Sequence, residues 1–180
     1  EIIKEIHLAY LQSGADIIET NTFNSTSISQ EDYNTEDLSY EINLSSARIA
    51  KEACKEIMKQ NPEKPRFVCG AIGPTNKTAS MSPDVSNPEF RNIDFDQLSA
   101  AYKEQARGLY DGGVDLFLIE TVFDTLNCRA ALYAIQTFFE EIGRKIPVMV
   151  SGTITDASGR LLSGQTVDAF WHSIRHMDLV

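Results

Sequence analysis

Apolar positions along this chain follow two alternating rhythms. At the start of the chain Ile3, Ile6, Leu8 and Leu11 fall at helical spacing. From about residue 38 to 58, Ile42, Ile49, Ala53 and Ile57 share one side and charges occupy the others. A third helix is predicted after Asp94, with Leu98, Tyr102, Ala106 and Leu109 inward. Asp94 and Gln97 make its capping box and Gly112-Gly113 ends it. Asp124 or Thr125 starts a fourth, with Leu126, Ala130, Ala134, Phe138 and Ile142 inward and Gly143 as its stop. Thr166 opens a last helix carrying Val167, Phe170 and Ile174. Between the helices lie short unbroken apolar runs, near residues 15–18, 67–72, 114–119 and 148–154. Runs of this kind suit strands buried on both faces.

The predicted order is therefore α-β-α-β-α-β-α-β-α, which requires parallel strands joined by helical crossovers. A loose repeat reinforces it. Gly14-Ala15-Asp16-Ile17-Ile18-Glu19-Thr20 recurs as Gly113-Val114-Asp115, an apolar run, then Glu120-Thr121. In each copy a helix ends at Gly, a strand follows, and Glu-Thr closes it. Two α/β sheets fit, an open doubly wound one or a closed (β/α)8 barrel. No Gly-x-Gly-x-x-Gly follows any strand, which weakens the dinucleotide-binding version. Polar residues stand instead at the carboxyl end of all four strands: Glu19 to Thr22, Gly73 to Asn76, Glu120-Thr121, and Thr153 to Asp156. A barrel keeps its active site there. Four strands make about half a barrel. The chain also starts inside an amphipathic pattern and stops where an apolar stretch begins, so residues 1–180 are expected to be one incomplete domain.

Composition narrows the partners. Hydrophobic residues are 42% of 180, enough for a packed core. With 16 Lys plus Arg against 26 Asp plus Glu, the charge of −10 disfavours nucleic acid and anionic membrane surfaces. No apolar run approaches the roughly 18 residues of a membrane span. The first residues lack the pattern of a signal peptide, and a cytoplasmic location is expected. Cys54, Cys69 and Cys128 match no zinc or redox spacing and read as reduced, buried thiols.

Several constellations have chemical potential. Glu19 and Glu120 stand at two strand mouths, where each can bind an ammonium group or act as a base, or else organise loop amides. The polar loop from Asn21 to Thr26 can hold a carboxylate through hydroxyls and amides, or simply turn the chain. Lys77 follows a Gly-Pro turn and reads as a solvated cation. Residues 80–92 have no periodicity and read as a long loop over the barrel mouth. His172 and His176 are four apart, but no carboxylate completes a metal set, and a helix surface suits them. Ser151 lies in no nucleophile elbow.

Four segments, in order, carry a resemblance. They are Ile18 to Ser25, Ile72 to Ser80, Ile119 to Asn127 and Ser151 to Arg160. Together they resemble the homocysteine S-methyltransferase domain of the cobalamin-dependent methionine synthases, over essentially the whole chain. Ser82 to Val85 and Phe90 to Ile93 resemble these enzymes more than their betaine-using relatives. The resemblance implies a (β/α)8 barrel of which this chain holds about strands two to five. It implies a zinc-activated homocysteine thiolate that takes a methyl group from methylcobalamin on another module. A folate module then recharges the cobalamin from 5-methyltetrahydrofolate. By motif position Glu120 receives the ammonium, and Asn21, Thr22, Phe23 and Ser25 line the pocket, with Glu19 and Asp124 as further candidates. The family's zinc ligands, a Cys after the sixth strand and a Cys pair after the eighth, correspond to none of the three cysteines here. No zinc site is expected within this chain, nor activity from it alone. The open edges of a half barrel are expected to self-associate. A betaine- or S-methylmethionine-dependent homocysteine methyltransferase, a non-catalytic barrel fragment, and an unrelated barrel enzyme using Glu120 as base are the alternatives.

Overall fold

A computed structural model describes residues 1–179. Four parallel strands lie side by side in chain order: β1 (Ile17–Glu19), β2 (Phe67–Ile72), β3 (Leu116–Val122) and β4 (Val148–Gly152). A doubly wound sheet would reverse its strand order part-way. This one does not, and its helices form a sequential row. Helix α1 (Ile2–Gln12) packs on α3 (Ser39–Gln60), α3 on α4 (Phe95–Asp111), α4 on α5 (Thr125–Ile142), and α5 on α6 (Val167–Ile174). A short α2 (Ser27–Gln30) and two single 3-10 turns bridge β1 to α3. The arrangement is a sector of a (β/α)8 barrel.

The alternation of side chains divides the sheet into two faces. Ile18, Val68, Ile72, Phe117 and Ile119 belong to the large core beneath the helices. Cys69, Leu116 and Leu118 form a separate small cluster on the opposite, inner face. On that face Ile17, Phe67 and Met149 are nearly half exposed, at 46%, 43% and 45%.

The helix boundaries follow their chemistry. Asp94 accepts from the Gln97 amide at 2.8 Å and Gln97 Oε1 accepts from the Asp94 amide at 3.1 Å, completing the capping box. Asp124 caps α5, Thr166 caps α6, and Gly143 ends α5 in the left-handed conformation at φ 65°. Three inward assignments differ from the apolar pattern. In α1, His7 is buried while Ile6 is 48% exposed. In α6, Val167 is 57% exposed and Ile174 is the buried contact. In α3, Ala53 and Ile57 face the core as expected, joined by Ala47, Ala50 and Cys54, whereas Ile42 and Ile49 are only partly buried. Close helix approach explains the last case. A Cβ at Gly112 of α4 would stand 2.4 Å from Ala47 Cβ, so only small residues fit the α3–α4 seam.

Candidate active site at the carboxyl ends of the strands

The segment after β1 is fixed from its buried side. Alternation sends Thr20 and Thr22 outward toward the helices, where they are 4% and 0% exposed. Their hydroxyls bond each other at 2.7 Å. Thr20 Oγ1 accepts from the Ala71 amide at 3.0 Å and Thr22 Oγ1 donates to the Ala71 carbonyl at 2.7 Å, locking the segment to β2. Two buried side-chain amides hold the next turn. Gln105 Nε2 donates to the Thr22 carbonyl at 2.9 Å, and Asn43 Nδ2 to the Ser25 carbonyl at 2.8 Å. Ser39 Oγ donates to that same carbonyl at 2.9 Å. The Gly73 amide donates to the Phe23 carbonyl at 3.1 Å, and a Cβ at Gly73 would stand 2.2 Å from that oxygen. Glycine is required there by approach, not by backbone conformation.

Glu19, Asn21 and Phe23 alternate with these anchors and remain exposed on the mouth side. The seven expected pocket residues therefore fall into groups. Glu19, Asn21 and Phe23 are free to meet a ligand and Glu120 is partly so, whereas Thr22 and Asp124 are buried with their side-chain polar groups engaged within the fold and Ser25 is buried with its carbonyl held. Asp124 is 2% exposed. Its Oδ1 accepts from Ser80 Oγ at 2.6 Å and the Leu126 amide at 2.9 Å, and its Oδ2 from the Ser80 amide at 3.1 Å. One carboxylate thus caps α5 and fastens the long loop. Asn127 assists, its Oδ1 accepting from the Ala79 amide at 2.9 Å and its Nδ2 donating to the Lys77 carbonyl at 2.9 Å. Lys77, read as a solvated cation, meets Glu31 at 2.5 Å.

Glu120 sits at the end of β3, partly buried. Burial, then the nearby charge of Glu19, raises its carboxyl above the usual range. With Gly73, Pro74, Tyr102, Phe123 and Asp124 it lines a cavity of about 10 Å³, room for one water. Cys69 lies on the same inner face, paired in register with Glu19. Burial, then Glu19 and Glu120, push its thiol up to about 12. Burial likewise raises Cys54 to about 11 and Cys128 to about 12. Thiols so shifted stay protonated and unreactive. They also stand apart, in α3, β2 and α5. Among the described residues no three His, Cys, Asp or Glu side chains gather where they could hold a metal ion. Nor is any helix among them long and apolar enough to cross a membrane.

The family profile described as homocysteine S-methyltransferase matches residues 1–180. The chain belongs to the homocysteine S-methyltransferase family. Among solved structures, its fold is similar to that of the homocysteine methyltransferase MmuM from Escherichia coli. To the metallated form it is 20% identical with a TM-score of 0.77, over 98% of this chain and 59% of that one. The apo form gives 19% identity and a TM-score of 0.72 over 99% and 59%. This chain thus spans about three-fifths of the length of the methyltransferase it matches.

Asn43, Gln105 and Asn127, which hold the site's loops, were not among the residues expected to form it. Gln105 carried a signal, as a polar residue within the stripe of Leu98, Tyr102, Ala106 and Leu109. Asn127 lay inside a quoted motif. Asn43 had none, because the true inner face of α3 is one of small residues.

Proposed function

We propose that this chain supplies the amino-acid end of a homocysteine site in a methionine-forming methyltransferase. Glu120 carries the reading. It is a half-buried carboxylate at a strand end, where an ammonium group would restore its charge and offset its burial. Glu19, whose charge Glu120 already feels, adds to the attraction for a cation. Asn21 and Phe23 flank the ligand from the first loop. Thr22, Ser25 and Asp124 keep that loop and its neighbour in place without touching the ligand.

In the full reaction the homocysteine sulfur attacks a methyl donor and methionine leaves. Methylcobalamin, recharged by 5-methyltetrahydrofolate on companion modules, is the donor we favour, on the motifs from Ser82 to Val85 and Phe90 to Ile93. Zinc would supply thiol activation. The described side chains do not fit a zinc site, so its ligands belong to residues other than these. A cytoplasmic setting suits this reading.

The test is homocysteine binding by native and E120Q protein, followed by calorimetry. E120Q is expected to weaken binding at least tenfold, since a charge-assisted bond is lost. Equal affinities would remove Glu120 from the site. Assay of the longer polypeptide with methylcobalamin, betaine and S-methylmethionine in turn identifies the donor. Turnover with either of the latter two alone would replace the cobalamin reading.

A further inference from the structure

The ladder between β3 and β4 is interrupted once. Ile119 pairs with Val150 and Val122 with Gly152, so Glu120 and Thr121 together oppose a single residue, Ser151. This is a β-bulge, a device that re-aims side chains. Thr121 holds it in the left-handed region at φ 54°. Among the described residues only one other non-glycine, Asn34, has positive φ. Asn tolerates that region, whereas a β-branched residue is strained in it. The bulge resets the alternation. Leu116 and Leu118 face inward, and regular spacing would send Val122 with them, yet Val122 lies in the core beneath the helices. The residue out of step is Thr121, which is left partly exposed beside Glu120.

We propose that Thr121 is a second substrate-binding residue, its hydroxyl donating to the carboxylate of homocysteine while Glu120 takes the ammonium. The inference rests on the reading of Glu120 given above. Ammonium and carboxylate share one carbon of the ligand, so their partners must be close neighbours. In a regular strand, successive residues point to opposite faces, and only a bulge brings two to one side. A donor is also needed there, because Glu120 alone would repel the ligand's carboxylate. Glycine would hold the same bulge without strain. The strain is therefore kept for the threonine side chain and not for the turn.

Four variants, titrated with L-homocysteine and with its decarboxylated analogue, an aminopropanethiol, test this by NMR. T121V keeps the side-chain shape and removes the hydroxyl. It should weaken homocysteine about tenfold and leave the analogue unchanged. T121S should restore homocysteine affinity. T121G should bind homocysteine as weakly as T121V while melting no lower than native, separating binding from folding. If T121V binds homocysteine as native does while E120Q is weakened, the Thr121 assignment fails alone. Equal weakening of both ligands in T121V overturns the assignment to the carboxylate. If E120Q also binds as native does, or native protein binds no homocysteine, the Glu120 reading fails and this inference with it.

Discussion

The two copies of the Gly-x-Asp to Glu-Thr repeat begin alike and end differently. Both follow a glycine of positive φ, Gly14 at 110° and Gly113 at 93°. Both use their Asp to tie neighbouring elements, Asp16 to Arg66 at 2.9 Å and Asp115 to Lys51 at 2.8 Å. After Glu-Thr they diverge. The first copy keeps strict alternation, so Thr20 and Thr22 turn outward beneath the helices and their hydroxyls bond the next strand. The second breaks alternation at Thr121 and keeps that residue partly exposed. One dipeptide at equivalent strand ends thus serves as a lock in one place and as a strained, partly exposed edge in the other. Residue type does not decide the role. The hydrogen-bonding register of the adjoining strand does.

The contrast can be broken most severely at the lock. G73A drives a Cβ into the Phe23 carbonyl and should cost about 3 kcal/mol in urea denaturation. D124A is its counterpart in the second copy. It removes a buried cap and leaves Ser80 and two amides without an acceptor, for about 2–3 kcal/mol. The threonines should then give opposite signs. T22V breaks a buried hydroxyl pair and lowers stability by about 1–2 kcal/mol, whereas T121G relieves strain and raises it by up to about 1 kcal/mol. A T121G protein less stable than native would show that the bulge is not strained.

The smallest effect is a pH slope. Glu120 titrates higher in the folded state, through burial and then Glu19, so folding retains a proton that the unfolded chain releases. Its contribution is full below the unfolded midpoint and declines as pH rises through the folded one. Native protein should therefore lose more stability than E120Q as pH rises above the ordinary Glu midpoint of about 4. E19Q should lower the Glu120 midpoint, because one of its two causes is removed. Parallel stability profiles for native and E120Q protein would refute the shift.

Period and punctuation were enough to read the strands and the helix caps, which depend on local chemistry, while the barrel sector was chosen over a doubly wound sheet on the polar strand ends and the family resemblance. Asp94 with Gln97, Gly143 and Thr166 act where their residue types suggest. The inner face of α3 was legible at Ala53 and Ile57 but not at Ala47 and Ala50, since there it is set by how closely α4 approaches through Gly108 and Gly112. Within the site, Glu19, Asn21 and Phe23 lie exposed at the mouth and Glu120 is partly so. The different surroundings of Thr22 and Thr121 were hidden. It depends on a one-residue change in strand register, which no spacing within a single strand reveals.

Strand order equal to chain order also decides where the molecule opens first. Each strand is held only by its neighbours in sequence, and β2 and β3 alone have one on both sides. Their residues are mostly buried, while β1 has a single buried residue of three and β4 has none. Amide exchange should therefore be slowest along β2 and β3 and fastest at β1 and β4, with opening proceeding inward from both sides. Glu120 and Thr121 straddle that gradient. Both lie in β3 at its irregular pairing with β4, so the strained Thr121 rests on the most persistent part of the sheet, beside a strand that exchanges early.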